Sequence, residues 1–337
     1  MQKQKINISR RQAFRPFLLS AGALLAASLQ AQEAAGYGYL ALPVSARVWA
    51  LGGTNISNVE PELSLSEQNP ALLCPEMARQ AVFSYARLYG GVNMGYAAYA
   101  GRFLQEGAWS AGIRYIDYGD FSGYDEFGTT TGSFGVKDMS LQLALGYPVN
   151  DKLRIGGQAK MLYTSYESYS AFALGVDVGL NYYDEVTGNS FSLTATNLGG
   201  QFKALYEERS ESLPTQLNVG WSHELEHLPF CVSVTGYHLL DWDHDFRDGK
   251  GQVQTYKNAE LVLNHLIFGL EWTALDHFWL AASYNYRHQR QFIGQGGLLR
   301  GVGLGAGLNY RQLSFQAGYA TVHAGDATLS LQFDYRF

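Results

Sequence analysis

The last residues of the chain constrain it most. Leu329, Leu331, Phe333, Tyr335 and Phe337 alternate with Ser330, Gln332, Asp334 and Arg336. This strict period of two is the pattern of a β-strand with one apolar face. The same alternation recurs upstream. Met139, Leu141, Leu143, Leu145 and Tyr147 share one face, as do Phe172, Leu174, Val176, Val178, Leu180 and Tyr182. Opposite the second set lie Ala173, Gly175, Asp177, Gly179 and Asn181. Near the end, Val302, Leu304, Ala306, Leu308 and Tyr310 oppose Gly301, Gly303, Gly305, Gly307 and Asn309. A soluble sandwich buries its bulky face and exposes charge on the other. Here the second face is small or polar, as the lumen of a membrane barrel requires.

The pattern predicts an all-β, transmembrane, antiparallel up-and-down barrel of about 14 strands. The strands are read at 79–88, 92–103, 108–118, 138–149, 152–165, 169–183, 190–198, 213–225, 228–241, 260–274, 277–289, 300–311, 312–323 and 326–337. An even number is what single-chain bacterial barrels have, and most segments reach the roughly 9–11 residues that cross a bilayer. The long connections, 119–137, 199–212, 242–259 and 290–299, all fall on one side. Short turns at one end and long loops at the other predict periplasmic termini and external loops. Tyr147, Tyr182, Trp272, Tyr310 and Tyr335 mark one end of the bulky face, as an interfacial girdle does.

Composition agrees. Charged residues make up 16% of the 337, below the roughly 25% of an average chain. A mean hydropathy of −0.14 argues against helical spans but is the average expected of two opposite faces. A net charge of −6 argues against a nucleic-acid binder with a basic face.

Residues 1–31 read as a cleaved signal peptide. Lys3, Lys5, Arg10, Arg11 and Arg15 precede an apolar run from Pro16 to Leu29, and Ala31 offers a small-residue exit. Its removal takes five of 24 basic residues and no acidic one, so 19 basic face 30 acidic and the charge moves from −6 to −11. Residues 32–78 do not alternate. They precede a lumen wider than an eight-strand barrel, which side chains alone can fill. They are read as an internal plug, with 79–337 as the barrel.

Ser45, Ala46, Arg47, Leu51, Gly52 and Gly53, followed by Asn69, Pro70, Ala71 and Leu72, resemble the plug signature of the FadL-like outer-membrane barrels. Within that group the chain is similar to the PorV/PorQ family of the type IX secretion system. The stretches at 42–47, 69–73, 175–184, 225–230 and 233–235 resemble its PorQ branch, and the similarity runs from about residue 37 to 337. The resemblance implies a non-enzymatic barrel without cofactor, in the outer membrane of a Gram-negative bacterium among lipopolysaccharide. Its implied partner is a PorZ-like surface subunit, in a cell-surface attachment complex with the PorU sortase and PorV. The alternatives it leaves are a FadL-like transporter of hydrophobic small molecules and a PorV-like shuttle for secreted cargo.

Several patterns mimic chemistry. His223, Glu224 and His227 match H-E-x-x-H, but that zinc motif needs a helix. The flanks are strand-like, and in a strand residues four apart lie about 13 Å from one another. A polar turn is the better reading. Asp241, Asp243, Asp245 and Asp248 offer alternate oxygens to Ca²⁺. Phe246 stands where the calcium loop needs Gly, so a solvated acidic loop is the competing reading. Cys74 and Cys231 allow either a plug-to-wall disulfide or two free thiols. Tyr118, Phe121, Tyr124 and Phe127, with Trp242, Phe246 and Arg247, form the candidate partner surface, because external loops this aromatic exceed what solvation needs. Loops folded over the barrel mouth are the other reading of the same residues.

Overall fold

The computed structural model describes residues 37–124, 127, 129–167, 169–205, 211–243, 245–247, 252–275, 277–291, 299–323 and 326–337. The expected signal peptide lies outside the described residues.

Fourteen strands close an antiparallel barrel. They are β1 (Gln80–Arg87), β2 (Asn93–Phe103), β3 (Gly107–Tyr124), β4 (Thr130–Pro148), β5 (Leu153–Tyr166), β6 (Tyr169–Asp184), β7 (Asn189–Lys203), β8 (Gln216–Glu224) and β9 (Phe230–Gly236), then, after a small external hairpin of β10 (Asp245–Arg247) and β11 (Val253–Thr255), β12 (Leu266–Leu275), β13 (Phe278–Asn285), β14 (Val302–Tyr310), β15 (Leu313–His323) and β16 (Asp326–Arg336). Each strand pairs with its sequence neighbours, β9 with β12 across the hairpin, and β1 closes on β16 with Phe83 opposite Phe333. Closure leaves no open sheet edge around the wall, the condition for strands in a bilayer. No helix of the described residues is long and apolar enough to cross a membrane.

The two faces divide as the alternation predicts. Leu143, Leu174 and Leu331 are exposed on the outer wall, while Ser140, Asp177, Asn181 and Ser330 are fully buried inside. Tyr147, Tyr182 and Tyr310 also point outward, near the short-turn end.

Several boundaries differ from the sequence reading; the strand expected over 228–241 spans only Phe230–Gly236. Residues 119–137 are not one long loop: β3 and β4 run on as a paired hairpin, with a register shift between Asp117 and Asp120 where Gly119 has φ +82°. Likewise β7 continues to Lys203. The strand expected over 260–274 begins only at Leu266, because Asn258–Asn264 is helical. There the backbone N–H of Lys257 donates to the Glu260 carboxylate at 3.2 Å, half of a capping box, and Leu261 and Asn264 bury one face. The strand expected over 277–289 ends at Asn285, and Tyr286–Gln291 forms a second external helix.

The core is the plug. Residues 37–78 fill the lumen with short helical turns, and Trp49, Ile56, Leu63, Leu65, Leu72 and Met77 are fully buried. The glycine-rich walls follow from this filling. A Cβ at Gly303 would meet the carbonyls of Trp49 and Ala50, and one at Gly156 would meet the backbone of Pro70 and Ala71. The inner faces of β5 and β14 are flat because the plug backbone lies directly on them.

Candidate functional site

The plug motif is a local device that becomes a long-range one. The Ser45 side chain accepts from the Val48 N–H and caps the helix Ala46–Ala50. That helix carries Arg47 into the centre of the lumen. Its guanidinium meets Glu62 of the plug at 2.8 Å and Glu271 of β12 at 2.7 Å, and lies 4.3 Å over the Trp279 ring. Gln332 of β16 donates to Glu62 at 2.9 Å and accepts from the Ala46 N–H at 3.1 Å. Leu51 is buried against Trp279 and Ala281. Gly52 and Gly53 follow with φ of +92° and +95°, a region open to glycine, and the chain runs on to Asn55, which donates to Ser233 of β9 at 3.2 Å.

Asn69 does the same work at the second motif. It accepts from the Ala71 N–H at 3.0 Å, capping Pro70–Leu72, and donates to the Ile56 carbonyl at 2.8 Å and Ser192 of β7 at 3.2 Å. A further ion pair ties Glu67 of the plug to Arg114 of β3, which also donates to the Tyr39 carbonyl at 3.0 Å. Lys160 and Asp177 pair within the wall at 2.6 Å. Each of these buried charges meets an opposite charge. Such pairs add little net stability, but removing one partner strands the other. They hold the plug in one position.

The cavities left inside are mainly polar. One of about 220 Å³ near the short-turn end is lined by Ser57, Asn58, Glu60, Glu224 and Glu271 on its polar side and by Leu225, Leu228 and Phe230 on the other. A second, of about 40 Å³, lies beside Lys160 and Asp177.

The external end is built differently. Beyond Asp117, β3 has lost its pairing with β2, and above Val136, β4 has lost β5, so the hairpin extends past the backbone pairing of its neighbours. Phe121 is exposed and stacks on Phe134 at 6.0 Å, and Phe134 meets Tyr166 at 5.2 Å. Phe127 at the tip is 84% exposed. Tyr118 does not join this surface. It turns inward, donates to Asp138 at 2.7 Å and packs near Tyr39 and Leu40. Tyr124 ends β3, with its side chain outside the described residues.

Across the mouth, Trp242 is half-exposed, donates to the Leu239 carbonyl at 2.8 Å and lies 4.1 Å from the His265 ring. Phe246 and Arg247 belong to β10, with side chains outside the described residues. The sequence therefore proposed one surface where the structure has two, plus one inward residue. His238, His265 and His288 lie in this external cap. Burial, then the Arg287 charge, pushes His238 down to about 3. The same causes bring His288 down to about 4. His265 is buried, shares Nδ1 with the Tyr237 carbonyl at 3.0 Å, and is also lowered, by burial first.

The remaining candidates resolve simply. Asp241 faces Arg287 at 3.8 Å and Asp245 accepts from Thr255 at 2.7 Å, while Asp248 lies outside the described residues. Among the described residues, no three His, Cys, Asp or Glu side chains gather to hold a metal ion. His223 lies in β8, stacked on Trp221, and Leu225 to Pro229 form a turn. Cys74 and Cys231 are free thiols. The sequence reading missed Glu62, Glu67, Arg114 and Glu271 as plug partners. For Arg114 and Glu271 the signal was a charge on the inward parity of a membrane strand, which demands a partner; Glu62 and Glu67 lie in the plug, where no alternation marks them.

No protein-family model matches the chain, and no curated protein sequence matches it. Solved structures do. The Pseudomonas putida toluene transporter TodX is similar at 12% identity and a TM-score of 0.52, over 86% of this chain and 97% of that one. The CymD monoaromatic hydrocarbon channel is similar at 12% identity and 0.52, over 90% and 99%. A Pseudomonas aeruginosa FadL homologue gives 11% and 0.50, over 87% and 98%. At such identities the likeness extends to the fold, and the fold of this chain is that of the FadL-like outer-membrane barrels.

Proposed function

We propose that the protein is a non-enzymatic outer-membrane barrel that holds a surface protein at its external end. The family resemblance names the setting: a type IX secretion attachment complex with a PorZ-like subunit, alongside PorU and PorV. One observation carries the reading. The lumen is filled by a plug that ion pairs tie to the wall, whereas an aromatic hairpin extends past the backbone pairing of its neighbours. Exposed aromatic surface of this kind suits a protein interface. Deleting 121–134 while the barrel still assembles should release the surface partner from cells. Unchanged retention would remove the hairpin from the interface. Pull-down with a surface subunit, against pull-down with cargo C-terminal domains, separates this role from a cargo shuttle.

The solved structures favour a second reading, transport of hydrophobic small molecules, since two of them are a toluene transporter and a monoaromatic hydrocarbon channel. Against it stand the mainly polar linings of the interior cavities. Saturable uptake of a long-chain or aromatic ligand by liposomes bearing the protein is the outcome that reading requires.

A further inference from the structure

The outer wall has one feature that neither anchoring nor transport uses. Across β14, β15, β16 and β1 the outward side chains fall in rows, because the strands are in register. Leu308, Phe315, Phe333 and Phe83 form one row of directly opposed residues. The next row toward the external end begins with the pair Ala306 and Ala317. Two small residues beside a row of large ones leave a recess of about 610 Å³ in the lipid-facing surface.

The recess has a polar rim on its short-turn side. One pleat beyond Leu308 comes Tyr310, 58% exposed, and the Arg311 guanidinium lies 5.3 Å over its ring. Arg79 precedes β1, three strands away, which is about 14 Å at ordinary strand spacing. Its backbone is fixed by the Ala100 and Phe337 peptide groups, and its side chain is exposed. Among the described residues, neither guanidinium is in an ion pair. From Ala306 to Tyr310 the strand rises about 13 Å. An apolar recess, then a tyrosine belt, then two unpaired cations follow the order of acyl chain, ester region and phosphate.

We propose that this face seats one anionic phospholipid of the leaflet on the short-turn side, its acyl chain over Ala306 and Ala317 and its phosphate between Arg79 and Arg311. The assignment of that leaflet to the periplasmic side rests on the outer-membrane reading above; the site itself does not depend on any surface partner.

The test uses the full chain in mixed micelles holding equal amounts of dioleoyl phosphatidylglycerol and dioleoyl phosphatidylcholine, with bound lipid read by native mass spectrometry. The wild type should retain phosphatidylglycerol in preference, one per barrel. R79Q and R311Q should each reduce that preference about fivefold, the change that about 1 kcal/mol per arginine near a membrane surface implies. Ala317→Phe fills the recess from the lipid side and should abolish retention, and the two arginine variants keep the test open if that barrel fails to assemble. Equal retention of both lipids, unchanged retention in R79Q and R311Q, or full displacement by an equal amount of lipopolysaccharide would each overturn the proposal. None of these outcomes bears on whether the external hairpin holds a surface protein.

Discussion

The plug and the external hairpin are both attached to the same wall, yet they follow opposite rules. In the plug the buried charges meet opposite charges: Arg47 is shared by Glu62 and Glu271, and Glu67 is met by Arg114. Most of its side chains are buried, and Ser45 and Asn69 cap two of its helical turns. In the hairpin, β3 and β4 pair their backbones only with each other, and Phe121 and Phe127 are exposed. The first region is completed within the chain. The second keeps apolar surface exposed among the described residues, as a docking element does.

The sharpest way to break this contrast is to unpair the plug. Arg47→Met leaves Glu62 and Glu271 buried without their cation, and should destabilise the plug by about 3–5 kcal/mol. Limited proteolysis should then cut within 37–78 while the barrel remains folded. Combining the change with Glu271→Gln should restore part of the protection, because the stranded charges are fewer.

A smaller effect is expected where plug and wall touch without charge. Gly156→Ala places a methyl against the Pro70 and Ala71 backbone, which has no flexible end to move aside. The cost should be about 1–3 kcal/mol, as for other overpacked sites. The loss of heat-resistant mobility on a gel would report it.

The external cap should respond to acid. His238 is held near 3, far below its ordinary 6.5, so between these values the unfolded cap binds a proton that the folded cap does not. His288, near 4, acts in the same direction. Stability contributed by these neutral rings is complete above about 6.5 and is lost as pH falls toward 4. Hydrogen exchange of residues 237–265 and 285–291 should therefore speed up on acidification from pH 7. Flat exchange across that range would show that the rings are already charged or already exposed.

The smallest effect on stability belongs to the hairpin. Phe121→Ala removes an exposed ring and should change barrel stability by no more than about 0.5 kcal/mol. Partner retention should nevertheless fall. Equal retention with Phe121→Ala and wild type would move the interface toward Trp242 and the cap.

Much of the barrel was legible in the sequence because lipid outside and plug inside impose different demands on alternate residues. Leu141 and Leu143 against Ser140 and Gln142 show both at once. The external elements were less legible. Leu261, Val262 and Leu263 form an apolar run that a strand or a short helix can use, and only the Glu260 cap and the buried pair Leu261 and Asn264 decide for the helix. Gly119, Gly123 and Gly132 read as loop, although cross-strand aromatic stacking carries the strands through them. In the plug, the motif residues were visible but their partners were not. Arg47 and Glu271 are 224 positions apart, and no local pattern links them. Only closure of the barrel brings them together.

A plugged lumen suits a barrel that holds rather than conducts. Liposomes bearing the purified protein, offered toluene or a long-chain fatty acid, test it directly. With the plug in place, uptake should be no faster than into protein-free liposomes. Saturable uptake that depends on the wild-type protein would contradict it.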